Sequence, residues 1–203
     1  MEPLVHFSAS GVPLQLANVN TDQLFPARFI KKPRAVGYAQ YLFHDIRRNK
    51  EGSLLDSFPL NQTRYHNSKI LIGGANFGSG SSREGAVYAL FDAGFRVIIA
   101  PSFGEIFAAN CLKNGVLATC LSEEQIASIQ QTLADSDDLT MVVNIPSQTL
   151  TMSSGILFNL RLDTFQKQCL IQGLNEIDLS LTFSKEIDMF EKSYRAIFPW
   201  TQS

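Results

Sequence analysis

KILIGGANFGSGSSREGAVYALFDAGFRVIIAP, residues 69–101, decides how this chain is read. KILIG (69–73) is a short apolar run of the length of a buried strand. FRVIIA (95–100) is a second such run, closed by Pro101. Between them, residues 83–93 carry helical spacing, with Val87, Leu90 and Phe91 on one face and Gly94 as the stop. Downstream, residues 103–112 predict a helix, 116–120 a strand, and 122–133 a helix opened by Ser-Glu-Glu. Strand, helix, strand, helix, strand at this spacing describes parallel βαβ units with right-handed crossovers.

The flanks differ in character. TMVVNI (140–145), QTLTMS (148–153) and ILFNLR (156–161) read as a β-meander turning at Pro146 and at Ser154–Gly155. Residues 163–169 and 184–191 read as helical. Near the N-terminus, the apolar residues of 4–7 and 12–16 surround Ser10–Gly11 as a hairpin would. Thr21 or Asp22 in NVNTDQLF (18–25) suits a helix start or a turn. Residues 26–66 are irregular, punctuated by Pro26, Pro33, Gly37, Gly52 and Pro59. A connection that long predicts a lid or a partner surface. The fold class expected is α/β: a mixed, mostly parallel sheet with flanking helices and a small β excursion, all in one domain over residues 1–203.

Composition narrows the function classes. With 45% hydrophobic and 18% charged residues the chain reads as globular. A net charge of −2 offers no basic field for nucleic acid. No apolar run approaches the roughly 18 residues of a membrane span. The opening MEPLVHFSAS carries an acid where a signal peptide carries a basic flank, so a cytoplasmic location is expected. Cys111, Cys120 and Cys169 are too scattered for a disulfide framework or a self-contained zinc or iron–sulfur site, and read as small buried hydrophobes. His6, His44 and His66 form no ligand pair, so no metal site is expected in this chain.

The chemistry concentrates between the two strands. Gly73, Gly74, Gly78, Gly80 and Gly85 fall within thirteen residues, after a strand and before a helix. Glycine there permits positive φ and lets backbone amides approach a ligand. A helix start adds unpaired N–H donors and partial positive charge, and Arg83 adds a planar fork for a carboxylate or phosphate. The segment therefore predicts an anion-binding loop with Gly78 and Gly80 as its backbone cradle. The P-loop pattern fails, because no lysine occurs between Lys69 and Lys113, and Gly78-x-Gly80-x-x runs into Arg83 where a dinucleotide loop needs glycine. Two adjacent hydroxyls, Ser81 and Ser82, beside one guanidinium suit a small carboxylic acid. Ser81-x-x-Glu84 also fits a capping box. Capping accounts for one serine and the glutamate, but not for five glycines, a second serine and an arginine in one turn.

NFGSGSSRE (76–84) followed by FRVIIAPSFGEIFAANCLKNGVL (95–117) resembles the signature of the aconitase-superfamily swivelling domain, most closely its free-standing form in the small subunit of 3-isopropylmalate dehydratase. NVNTDQLFP (18–26) is similar to that family's N-V-D-T-D-x-I-I-P. YLFHDIR (41–47) resembles the loop after its specificity segment, and FQKQCLIQGLNEIDLSL (165–181) its closing helical motif. The resemblance spans nearly the whole chain and implies a β/β/α swivelling fold, with residues 30–66 as the specificity and partner region. It implies a hydro-lyase of leucine biosynthesis that interconverts 2-isopropylmalate and 3-isopropylmalate, active only with a large subunit whose 4Fe–4S cluster holds substrate as a Lewis acid. By the same resemblance Ser81 is the catalytic base, Ser82 and Arg83 hold a substrate carboxylate, Asp22 orients the polar cluster, and Arg34 lies in the specificity segment as a substrate contact.

The chain departs from the family pattern twice. Gly85 stands where the motif S-S-R-E-H carries histidine, and the specificity segment reads KKPRAVGYA (31–39), with Arg34 one position early after Pro33. Two alternatives accompany these departures: a related hydro-lyase subunit for a citraconate-like, methylated or homoaconitate-type dicarboxylate, or a non-catalytic homologue serving as an assembly module.

Overall fold

The computed structural model describes residues 1–201. Its frame is a seven-stranded sheet in the order β4-β3-β2-β1-β5-β6-β7. β1 (His6–Pro13) is the pivot, pairing parallel with β2 (Ile70–Ile72) and antiparallel with β5 (Thr140–Asn144). β2, β3 (Val97–Ala100) and β4 (Leu117–Cys120) continue in parallel, whereas β5, β6 (Thr149–Met152) and β7 (Leu157–Asn159) form the antiparallel meander. The residues explain this split. ILI and VIIA are buried at every position, as a strand covered on both faces requires, while β5 and β6 alternate between buried and accessible positions.

The expected N-terminal hairpin is instead one continuous strand. Gly11 is not a turn residue: a Cβ there would lie 2.5 Å from Met141 Sδ and 3.1 Å from Leu133 Cδ1. It is glycine because a neighbouring strand and a helix approach it closely, and sequence alone does not separate that cause from a turn.

Four α-helices precede the meander. α1 (Thr21–Leu24) is a single turn capped by Asn20, not by Thr21 or Asp22. α2 (Glu84–Asp92) and α3 (Glu105–Lys113) are the crossovers from β2 to β3 and from β3 to β4, and they pack on each other. α4 (Glu123–Asp135) has Ser122 in a capping box with Gln125 and returns the chain from β4 toward β5, packing across β1, β2 and β3.

Residues 26–66 run through short 3-10 turns with no longer element. What holds the first part of this segment is aromatic. Phe25 stacks on Tyr38 at 4.5 Å between centroids and Phe29 on Tyr41 at 4.2 Å, and the Tyr38–Tyr41 turn packs on α2.

After the meander, α5 (Thr164–Gln172) buries Cys169 and Leu170 and ties down the N-terminus. The Leu4 amide donates to Leu170 O at 2.8 Å, and the Met1 ammonium to Gly173 O at 2.7 Å. α6 (Glu176–Leu181) contributes Leu179 to the interior. α7 (Ser184–Ile197) extends beyond the predicted stretch and buries none of its residues. Cys111 and Cys169 are buried as expected, but Cys120 is exposed at the end of β4, the outermost strand of the parallel half. No helix among the described residues is long and apolar enough to cross a membrane.

Candidate active site

The glycine-rich loop is threaded between two neighbouring segments. Its Gly73 amide donates to Ile99 O at 2.8 Å, Phe77 to Ser102 O at 3.0 Å, and Gly78 to Val19 O at 2.7 Å. In return, Thr21 N donates to Ser79 O at 2.8 Å and Gly104 N to Phe77 O at 2.9 Å. The NVNT segment and the start of α3 therefore clamp the loop from both sides.

Gly78 and Gly80 both have positive φ, 73° and 94°. Their roles differ, and the reading of Gly78 as an anion donor needs correction. Its amide is committed to Val19, and a Cβ there would fall 2.1 Å from the Phe107 ring. Gly78 is a packing glycine that lets the start of α3 close on the loop. Gly80 is exposed, and among the described residues the amides of Gly80, Ser81 and Ser82 donate to no protein acceptor. The unpaired amides thus begin two residues nearer α2 than Gly78.

Ser81 is not a helix cap. α2 begins at Glu84 with Arg83 at the N-cap position and no side-chain cap bond, and Glu84 instead accepts from Asn114 Nδ2 at 3.1 Å. The capping-box reading of Ser81-x-x-Glu84 is thereby overturned, because the chain stays extended at Arg83 with φ −123° and ψ 104°. Both serines are exposed at the uncapped start of α2. Thr21 Oγ1 donates to Ser81 O at 2.9 Å and so tethers this turn through its backbone. Thr21 is 3% exposed. The sequence around Thr21 suggests a helix start or a turn, and nothing local signals its long-range bond.

Arg83 donates through Nη1 to Asp22 Oδ1, and this pair joins the two motifs. Asp22 also accepts from the Ala27 amide at 2.9 Å. That amide first, and the Arg83 guanidinium second, hold the Asp22 carboxyl below its usual range. Asp22 is thus an ionised anchor for Arg83. Freed from capping by Asn20, it is available for that role.

Two clefts meet at Arg83. One, of about 210 Å³, is lined by Thr21, Gly78, Gly80, Ser81, Glu105 and Phe107. The other, of about 290 Å³, lies between Ser82 and the aromatic wall of Phe25, Tyr38 and Tyr88. Arg34 is not brought to the loop. Its guanidinium lies at the far end of α2, 2.8 Å from Asp92 Oδ1 and 4.0 Å from the Tyr88 ring centroid. Gly85 faces Phe25 and carries no side chain into the second cleft.

The chain has counterparts among known proteins. The Aconitase C-terminal domain family model matches residues 1–124. A 3-isopropylmalate dehydratase small subunit of Roseobacter denitrificans is 38% identical over 200 residues, covering 98% of this chain and all of the relative. Another, of Leptospira interrogans, is 39% identical over 202 residues, covering 98% of both chains. The chain belongs to the 3-isopropylmalate dehydratase small-subunit family. A crystal structure of 3-isopropylmalate dehydratase from Methanocaldococcus jannaschii shares the fold, with a TM-score of 0.63 at 18% identity over 94% of this chain and 99% of the other.

Among the described residues no group of three or more His, Cys, Asp or Glu side chains is placed to hold a metal ion. Cys111 is enclosed in the core, where burial pushes its thiol pKa up, away from the thiolate a metal needs. The turn at residues 80–83 carries two hydroxyls, free amides, and a guanidinium anchored by a carboxylate.

Proposed function

We propose that this chain is the small subunit of a cytoplasmic hydro-lyase that isomerises 2-isopropylmalate and 3-isopropylmalate in leucine biosynthesis, working only against a large subunit that carries a 4Fe–4S cluster. The observation that carries this reading is the turn at residues 80–83. Ser81 and Ser82 are exposed and uncommitted as caps, beside an arginine fixed by Asp22. When bound in the complex, the partner's cluster supplies a Lewis acid for the departing hydroxide.

This chain's residues account for the rest. Removing water next to a carboxylate requires a base for a weakly acidic C–H. Ser81 Oγ takes that proton, and returns it when water adds back at the neighbouring carbon. A serine alkoxide is costly in water, and it becomes accessible only where free amides at a helix start and a nearby guanidinium face it in a site closed from solvent. The large subunit provides that closure by covering the exposed turn. Arg83 and Ser82 hold a substrate carboxylate, Asp22 keeps the guanidinium aimed, and the aromatic cleft beside Ser82 receives the branched alkyl group.

The test is reconstitution. The chain alone should be inactive, and mixing with the cluster-bearing large subunit should give turnover of 2-isopropylmalate, followed by absorbance of the unsaturated diacid. Ser81→Ala should assemble normally and lose turnover. Undiminished activity in that complex would refute Ser81 as the base.

A second reading, a related hydro-lyase for another branched or methylated dicarboxylate, is favoured by the position of Arg34, which is held on Asp92 away from the loop. A panel of alkyl-substituted malates run on the same complex separates the two.

A further inference from the structure

Asp92 is the last residue of α2, where an acid opposes the helix dipole. Its carboxylate is nonetheless fully employed. Oδ1 accepts from Arg34 Nη2 at 2.8 Å and Nε at 3.3 Å, and Oδ2 accepts from the Tyr38 backbone amide at 3.1 Å. One side chain thus grips both ends of the turn at residues 34–38, which pivots at Gly37 with φ +79°. The grip is reinforced one helical turn earlier, where the Arg34 guanidinium lies 4.0 Å above Tyr88.

The consequences run toward the loop. Tyr38 stacks on Phe25 at 4.5 Å, Phe25 lies against Gly85, and Tyr38 and Tyr88 form the wall of the cleft that opens onto Ser82 and Arg83. Burial leaves the outer part of this segment loose, because Ile30 and Val36 are 51% and 47% exposed, whereas Tyr38 is seated in the core beside Phe25. Aromatic packing seats Phe25 and Tyr38, and the Asp92 contacts fix how the turn at residues 34–38 leads into Tyr38.

We propose that Asp92 is a positioning residue for substrate selection, and that Arg34 acts through Asp92 as the other half of a clamp rather than as a ligand for substrate. The proposal rests on the hydro-lyase reading for its catalytic consequence, but the clamp itself is a property of the free chain. Arg34 is exposed and Asp92 only partly so, and a single pair of that kind contributes little to global folding, so breaking it shifts the wall without unfolding the domain.

The experiment uses the reconstituted complex with Asp92→Ala, Arg34→Ala, the double variant and Arg34→Lys, together with hydrogen exchange on each free subunit. Each alanine variant should raise KM for the isopropyl substrate about ten-fold while kcat changes by less than about three-fold, since a displaced wall weakens binding uniformly. The double variant should be no worse than the poorer single one, because both remove the same contact. Arg34→Lys, which keeps the charge and loses the fork, should recover part of the loss. Amides of residues 30–38 should exchange faster in Asp92→Ala and Arg34→Ala alike, with the rest of the chain unchanged. Activity lost in Arg34→Ala but intact in Asp92→Ala would make Arg34 a substrate ligand and overturn the proposal. Unchanged exchange in both variants would overturn it as well. A wild-type complex inert on every alkylmalate would sink the hydro-lyase reading, while the exchange arm still decides the clamp.

Discussion

A methyl group on Gly85 would stand 3.0 Å from Cδ1 and 3.1 Å from Cε1 of the fully buried Phe25 ring. The two positions belong to the two motifs that build the site. In the family pattern that this chain resembles they carry histidine and isoleucine, whereas here they carry glycine and phenylalanine. Bulk has moved from the start of α2 to the end of α1, and the interface between them stays filled. Gly85→His alone should therefore overpack the site and destabilise the domain by about 1–3 kcal/mol, despite removing a helix glycine. Adding Phe25→Ile should recover at least about 1 kcal/mol of that loss. A urea-denaturation double-mutant cycle reads the coupling, and additive changes would show that the two positions are independent.

Asp22→Asn tests the anchor of Arg83. The amide keeps an oxygen for the Ala27 N–H but gives the guanidinium no charge to pair with. Asp22 is 59% exposed, so folding stability should change by less than about 1 kcal/mol. Turnover of the reconstituted complex should nonetheless fall by roughly 10–100-fold, as expected for a carboxylate-binding group left unpositioned. Equal activity of the two complexes would remove Asp22 from the site.

Gly78→Ala addresses packing rather than chemistry. The Cβ would meet the Phe107 ring at 2.1 Å on a backbone with φ +73°. Strain at positive φ of about 1–2 kcal/mol adds to overpacking of about 1–3 kcal/mol. A loss of roughly 3 kcal/mol in chemical denaturation is the expected outcome. Gly80→Ala, with nothing nearer than 3.5 Å, should cost only the backbone strain.

These contrasts show what was legible in the chain. The parallel half could be read because ILI and VIIA are buried on both faces and leave an unbroken apolar pattern. The glycine loop announced itself through composition, and the serines and arginine through the loop's place before a helix. What could not be read was set by partners distant in sequence. Gly11 looks like a turn until Met141 and Leu133 are placed beside it. Gly78 looks like an anion donor until Val19 O takes its amide. Ser81 matches a capping box that the extended backbone at Arg83 never forms. Arg34 sits in the expected segment, yet Asp92, 58 residues away, decides where its guanidinium goes.

Electrostatics in the irregular segment gives a pH prediction. Arg28 forms a fork on both oxygens of Asp45, and His44 Nδ1 lies 2.9 Å from Oδ1. The Arg28 bond is the main reason the Asp45 carboxyl is lowered from 3.8 to about 2. Because the folded value is the lower one, the stabilising contribution is fully present above the unfolded pKa. It is lost as pH falls from about 3.8 through about 2. An NMR titration of the Asp45 carboxyl should show a midpoint near the lower value, moving toward 3.8 in Arg28→Ala. A midpoint near 3.8 in the unsubstituted chain would mean the pair does not form in solution.

The C-terminal helix offers the last contrast. Ile187, Phe190, Tyr194 and Ile197 recur at three- and four-residue spacing along α7, but every one is exposed and no residue of that helix is buried. A helix that removes no side chain from water adds little to the domain's stability, since amphipathic helices draw most of theirs from packing. Deleting residues 184–203 should therefore leave the urea midpoint of the free subunit nearly unchanged and reduce its tendency to aggregate, because an exposed apolar stripe goes with it. Ending the chain before α5 should behave differently. That cut removes buried Cys169 and Leu170 and the carbonyls that receive Leu4 N and the Met1 ammonium. The loss there should be several kcal/mol, on the scale of about 2–5 kcal/mol for a single large buried side chain. A large drop on deleting 184–203 alone would show that α7 packs on the domain in solution.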